Sequence, residues 1–119
     1  IIDSQFNLEK VISTGKVPYG LAFDQEGANL FVALKQDKAL EVFDTASWKS
    51  LKKIPTGKRC WHFTFTPDYR HLLVACGRSD EVVVIDVKTL ERVKSIEVPN
   101  MPWGVVTYPK SIGSLDIPE

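Results

Sequence analysis

The sequence predicts an all-β fold built from a repeated four-stranded unit, and three observations support this prediction. Residues 57–98 are preceded by an imperfect copy of themselves, residues 15–56, at a period of 42 residues and without a gap. Within each copy, apolar runs rich in β-branched and aromatic residues alternate with short polar turns. No segment shows helical periodicity. Such a period is typical of stacked units that cannot bury their apolar faces alone.

The repeat is defined by residue types that recur at equivalent positions. Gly15 and Asp44 of the first copy correspond to Gly57 and Asp86 of the second, and Trp103 takes the place of Trp61 as a third copy begins. The chain is thus divided into the end of a preceding unit (1–14), two complete units (15–56 and 57–98), the first strand of a further or closing unit (99–109) and an irregular tail (110–119).

Each complete copy predicts four strands in the same order. In the second copy, an aromatic run is followed by the turn residues Pro67 and Asp68 and by a second apolar run, which together predict a hairpin. The expected strands are 18–24, 29–35, 39–44 and 51–56 in the first copy and 61–66, 71–75, 81–85 and 92–98 in the second, with a strand of the preceding unit near 8–13.

The polarity of the strands orders them in space. The first three strands of each copy are nearly continuous apolar runs, which predicts burial on both faces, between neighbouring sheets. The fourth strand alternates, with Lys52, Lys53 and Lys94 among apolar residues, and is expected on the outside. Four-stranded sheets stacked on both faces at this period describe the blades of a β-propeller.

Four short segments of the repeat form a recognisable pattern: Pro18-Tyr19-Gly20-Leu21-Ala22, Pro67-Asp68, Leu72-Leu73-Val74-Ala75 and Val82-Val83-Val84-Ile85-Asp86. Through these segments the repeat resembles the YVTN-type β-propeller repeat. It departs from that pattern at Tyr69, Cys76 and His62. The resemblance implies a periplasmic or secreted protein associated with a redox system, since several such propellers are partners of quinoprotein or haem systems.

The chain holds about 2.8 blades, whereas propellers close with roughly four to eight. We therefore expect a carboxyl-terminal portion of a longer propeller, whose remaining blades come from the same longer chain or from another chain. Ile1 to Asp3 resembles the end of a strand rather than a signal peptide, so the sequence is expected to be a mature or excised piece.

Composition and motifs narrow the functional classes. Fifteen basic and fifteen acidic residues cancel, which argues against nucleic-acid binding. No apolar run reaches the roughly 18 to 20 residues of a membrane span. No nucleophile motif, phosphate-binding loop or pair of catalytic carboxylates appears, so catalytic residues are not expected in this chain.

Cys60, Cys76 and His62 are the residues that could hold a metal. The two cysteines lack a metal-binding or redox spacing, and a diagonal placement on their hairpin is wide for a disulfide, so we expect free buried thiols, with a disulfide as the alternative. For His62 we expect a hydrogen-bonded histidine that lines the channel, with a metal or haem-iron ligand as the weaker alternative.

Charge is sorted between the two ends of the predicted blades, and the loops at the channel mouth are mostly basic. The predicted function is a non-catalytic binding or scaffold module, associated with a periplasmic redox system, that contacts an anionic ligand or partner there. No cofactor is expected. The alternative is a propeller subunit of a haem-containing redox enzyme, resembling nitrite reductases or multihaem nitrogen-cycle complexes. The predicted contact residues are Lys16, Lys58, Arg59, His62 and Arg78.

Overall fold

The computed structural model describes residues 1–109 and contains two four-stranded antiparallel sheets whose strands follow chain order. Blade 1 consists of β1 (Pro18–Phe23), β2 (Asn29–Leu34), β3 (Ala39–Asp44) and β4 (Ser50–Pro55). Blade 2 consists of β5 (Cys60–Phe65), β6 (His71–Cys76), β7 (Glu81–Asp86) and β8 (Glu91–Glu97), with a 3₁₀ turn (Gly77–Ser79) before β7. The predicted all-β fold is confirmed, and every strand of the two copies ends within one residue of its predicted boundary.

The main hydrophobic core lies between the two blades. The rings of Phe31 and Phe65 meet edge to face there, with centroids 5.6 Å apart. Alternate residues of β2 point to opposite faces, so Val32 and Leu34 form a smaller cluster on the other side of blade 1. The main core comprises Phe31, Ala33, Leu40, Val42, Ile54, Cys60, Phe63, Phe65, Leu72, Val74, Cys76, Val83 and Ile85.

The first strand of blade 1 departs from the prediction. Tyr19, Leu21 and Phe23 form one exposed face of β1, although burial on both faces was expected. The equivalent face of β5 packs against blade 1, whereas no described sheet covers β1. The fourth strands lie on the outside as predicted, with β8 exposed along its whole length.

The flanking segments form few regular contacts. A single bridge joins Ile2 to Leu8, and the strand expected near 8–13 is not formed. Residues 99–109 lie beside blade 2, and the first strand of a further unit that was expected there is not formed. The predicted tail, 110–119, lies outside the described residues. No helix among the described residues has the length and hydrophobicity to cross a bilayer.

Left-handed backbone positions recur at the repeat period. Tyr69 has the left-handed conformation of its counterpart Gly27, so the turn keeps its geometry without glycine. Apart from Asn100, whose counterpart Lys58 does not share this conformation, every left-handed position has a counterpart 42 residues away, so turn geometry repeats even where the residue type changes. These positions, with φ between 49° and 71°, are Phe6, Trp48 and Leu90; Val17, Arg59 and Met101; Gly27 and Tyr69; and Lys38 and Asp80.

Candidate functional site

A basic cleft of about 390 Å³ opens at one end of the sheets, between loops of the two blades. This volume lies within the roughly 300–1,000 Å³ typical of ligand sites in proteins. No carboxylate among residues 1–109 lines it. The lining residues are Val17, Lys35, Gln36 and Lys38 from blade 1 and Lys58, Arg59 and Arg78 from blade 2.

Backbone hydrogen bonds place the loops of blade 2 side by side. Gly77 N–H donates to the Arg59 carbonyl and Arg78 N–H to the Lys58 carbonyl, both at 3.0 Å. The equivalent bonds in blade 1 run from Lys35 to Val17 and from Gln36 to Lys16. Each blade therefore presents the residues that precede its first strand beside those that follow its second strand.

Two glycines allow the loops to close on the sheets. A Cβ atom at Gly15 would collide with Asp37, and one at Gly57 would collide with Ser79. In blade 1, the Lys16 N–H donates to Asp37 Oδ2 at 3.0 Å. That hydrogen bond and the Lys53 ammonium hold the pKa of Asp37 below its ordinary value, so the carboxylate stays ionised at neutral pH. The Asp37 carboxylate pairs within blade 1, with the Lys53 ammonium of β4 at 3.5 Å.

The cations of the cleft have no carboxylate partner among residues 1–109. The ion pairs of the described chain join Lys52 to Glu91, Lys53 to Asp37 and Arg92 to Glu81. None of these includes a residue that lines the cleft. Five cationic side chains around one concavity produce a positive potential that attracts anions.

Arg59 is the most constrained of these cations. Its guanidinium carbon lies 5.7 Å from the centre of the Trp61 ring, within the range of a cation–π contact. Trp61 in turn meets Trp103 edge to face, with centroids 4.0 Å apart. The planar guanidinium is therefore held at the cleft with its hydrogen-bond donors available for a carboxylate or phosphate.

The structure brings together three of the five predicted contact residues. Lys58, Arg59 and Arg78 line the cleft, whereas Lys16 does not line it and serves the loop through its backbone. His62 does not line it either. Lys35 and Lys38 belong to the basic loops expected at the channel mouth, although they were not among the predicted contact residues. Val17 and Gln36 were missed, and they could have been found because they occupy the repeat positions of Arg59 and Arg78.

His62 lies between blade 2 and the segment that follows it. Its Nδ1 accepts a hydrogen bond from the Val105 N–H at 3.2 Å, and its ring packs over Gly104. This pairing requires an unprotonated Nδ1. The imidazole is therefore engaged in joining the third copy to blade 2.

The expectation of free thiols is wrong, because Cys60 and Cys76 form a disulfide. A bulge between Cys60 and His62 shifts the register, so the two cysteines lie directly opposite each other instead of diagonally, with Cα atoms 3.8 Å apart. Neither sulfur is then a thiolate ligand. No group of three metal-binding side chains occurs among residues 1–109.

The opposite end of the blades is acidic. A cleft of about 490 Å³ there is lined by Asp24, Glu26 and Asp86, with Arg70 and Lys88 as its basic residues. Hydrogen bonds from Thr89, chiefly from its backbone, and from the backbone of Lys88 lower the pKa of Asp86, as expected for a carboxylate that caps a turn. The two ends therefore differ in charge although the chain is neutral.

Comparison with known proteins gives a family and a fold. The model of the YNCE-like β-propeller family matches residues 17–109. No curated protein sequence matches significantly. The three solved structures described below share between 12% and 23% identity with this chain and show the fold alone.

Three of those structures illustrate the likeness. Kuenenia stuttgartiensis hydrazine synthase has a TM-score of 0.70 at 23% identity, over 79% of this chain and 27% of that one. The β-propeller domain of Myceliophteria thermophila Cps50 (Swd1) has a TM-score of 0.71 at 18% identity, over 82% and 31%. Apo AztD from Citrobacter koseri has a TM-score of 0.67 at 12% identity, over 80% and 27%. The chain spans less than a third of each of these structures.

Proposed function

Because the chain belongs to the YNCE-like β-propeller family, we propose that it is a non-catalytic binding module whose basic cleft takes an anionic ligand or an acidic partner. The observation that carries the proposal is the set of five cations in one cleft, none paired with a carboxylate among residues 1–109. An anion bound there would relieve their mutual repulsion and gain charge-assisted hydrogen bonds.

The first partner of this module is the rest of a propeller. The exposed face of β1 carries Leu21 and Phe23, whose counterparts in β5 are Phe63 and Phe65. Those counterparts are buried against blade 1, in the main core. The face of β1 therefore fits another blade in the same way, supplied by the same longer chain or by a second chain.

An oxidising compartment, periplasmic or extracellular, is part of the proposal. Disulfides persist in such compartments and are rare in the cytosol of most organisms. The Cys60–Cys76 bond supports this placement. The likeness to YVTN-type repeats adds the expectation of a redox protein as a further partner.

Two small anionic probes, tripolyphosphate and a short glutamate oligomer, test the proposal by calorimetry over a salt series. The chain is expected to bind at least one of them, with an affinity that falls as salt rises. Replacing both Arg59 and Arg78 by alanine should weaken binding by about tenfold or more, since each loses a charge-assisted contact. The matched control replaces Arg70 and Lys88, at the acidic end. Equal binding by both double variants would remove the cleft from consideration.

Haem binding through His62 receives no support from the described residues. The Nδ1 atom is occupied by the Val105 N–H, and Cys60 and Cys76 are joined to each other. The proposal therefore includes no haem. A Soret absorption band in the purified protein that shifts in a His62→Ala variant, but not in His71→Ala, would favour a haem enzyme instead.

A further inference from the structure

We infer that the partner at the basic cleft is an acidic polypeptide segment in which aliphatic residues lie next to the acidic ones. This inference rests on the proposed function and adds the chemical class of the ligand. Three features of the cleft carry it: its size, one exposed apolar side chain and one side-chain amide.

The cleft is too large for a single small anion. Its volume of about 390 Å³ equals that of roughly a dozen water molecules, several times the size of a carboxylate or phosphate group. The cations are also distributed over both blades, with Lys35 and Lys38 on one side and Lys58, Arg59 and Arg78 on the other. A ligand that neutralises both sides must carry several anionic groups and must extend from one blade to the other.

Val17 provides an apolar contact surface within this basic cleft. It is 47% exposed and is the apolar residue among those that line the cleft. Its φ of 58° is strained for a β-branched residue, and its backbone carbonyl is fixed by the Lys35 N–H at 3.0 Å. The side chain is thus held in the cleft by its loop. A ligand gains by placing an aliphatic group against it.

Gln36 favours a peptide ligand over a simple phosphate. Its amide both donates and accepts hydrogen bonds, which suits a peptide group, whereas a fully ionised phosphate offers acceptors alone. The guanidinium of Arg59, whose carbon lies 5.7 Å from the centre of the Trp61 ring, presents a planar fork that matches a carboxylate. Acidic side chains on a polypeptide combine these requirements with the aliphatic contact at Val17.

Four probes test the inference on the full chain: a five-residue capped peptide that alternates glutamate with leucine, the same peptide with glutamine for glutamate, the same with glycine for leucine, and tripolyphosphate. We expect the glutamate–leucine peptide to bind about tenfold more tightly than the glutamine form, because the carboxylates pair with the cations. It should bind about threefold to tenfold more tightly than the glycine form, because leucine buries apolar surface on Val17.

Three variants assign the contacts. Val17→Thr keeps the β-branched shape and should remove the preference for leucine without changing the affinity for the glycine form. Arg59→Lys keeps the charge but removes the fork, and should weaken the glutamate peptides more than it weakens tripolyphosphate. Arg70→Gln, at the acidic end, is the matched control and should change neither affinity.

The outcomes separate this inference from the proposed function. Tight binding of tripolyphosphate, with glutamate–leucine and glutamate–glycine peptides binding weakly or alike, would overturn the acidic-peptide inference and leave an anion-binding module. Failure of every anionic probe to bind would overturn both. Loss of the leucine preference in Val17→Thr, together with unchanged binding by Arg70→Gln, would support the inference.

Discussion

The two blades are copies of one sequence pattern in different surroundings, and the difference in burial between them shows what their surroundings contribute. Phe65 of blade 2 is 3% exposed, whereas its counterpart Phe23 in blade 1 is 49% exposed. On the outer strands the order is reversed, since Ile54 of blade 1 is 1% exposed and Ile96 of blade 2 is 42% exposed. Burial of a repeat residue is therefore decided by the neighbouring blade, as expected for architectures stabilised by nearest-neighbour contacts.

The test with the largest expected effect replaces each of the two phenylalanines by alanine. Phe65→Ala should destabilise the 119-residue chain by about 3 to 5 kcal/mol, because it empties a fully packed position between the blades. Phe23→Ala should cost only about 1 to 2 kcal/mol, because half of the ring is already in water. Urea unfolding of both variants measures the difference. Equal losses would show that another surface covers β1, and sedimentation would then reveal self-association.

The disulfide is a second difference, since blade 1 has Pro18 and Leu34 at the positions of Cys60 and Cys76. Replacing both cysteines by serine should destabilise the chain by about 2 to 4 kcal/mol, because the bond closes a loop with a sequence separation of 16. Hydrogen exchange localises the effect. Amides of β5 and β6 should lose protection more than those of β1 and β2; a uniform loss would mean that the disulfide does not act within blade 2.

The two isoleucines give a smaller test, in which one methyl group is removed at each position. Ile54→Val should cost about 1 kcal/mol, and Ile96→Val less than about 0.5 kcal/mol, because one methyl group is removed from a packed site in the first case and from a largely wetted one in the second. Thermal unfolding of both variants beside the wild type measures the two losses of stability. A larger loss for Ile96→Val would contradict the assignment of β8 as an uncovered outer strand.

A pH-dependent difference concerns Glu81, whose repeat position in blade 1 is Ala39. Burial raises the pKa of Glu81, but hydrogen bonds from Ser95 and Ser79 and the Arg92 cation outweigh it, so the pKa lies below its ordinary value. The ionised carboxylate therefore stabilises the fold above about pH 4.3, the usual glutamate pKa, and this contribution is lost as the pH falls through the lowered pKa.

Since Arg92 is partly exposed, we expect this contribution to stay below about 1 kcal/mol. Glu81→Gln should remove that part of the loss of stability between about pH 5 and pH 2. Urea midpoints across this range compare the variant with the wild type. Parallel pH profiles would show that Glu81 contributes nothing through its charge.

The strands could be predicted because each is present twice in the sequence. A pattern that recurs without a gap fixes the boundaries in both copies, and the charged residues Lys52 and Lys53 among apolar ones identify the outer strand. The exposed face of β1 could not be read from that pattern, because its residues are as apolar as those of β5. Burial there depends on whether a further sheet packs against β1, and no sheet among residues 1–109 does so.

The candidate site was predicted in part. The basic loops were predicted to place Lys58, Arg59 and Arg78 at one end of the blades, since successive antiparallel connections alternate between the two ends of a sheet. The disulfide was missed because the bulge beside Trp61 moves the register by one residue, and strand pairing of this kind leaves no compositional signal. His62 was placed at the channel, whereas its hydrogen bond to Val105 depends on how the third copy docks.

The left-handed residue before each first strand has an evolutionary consequence. Val17, Arg59 and Met101 share one backbone conformation at intervals of 42 residues, yet they carry an aliphatic, a cationic and a thioether side chain. The turn geometry is kept across these replacements. A point mutation at this position therefore changes the side-chain chemistry at that end of the blade without disturbing the backbone turn. Recognition can therefore diverge one blade at a time, and each duplicated blade adds one more independently mutable position.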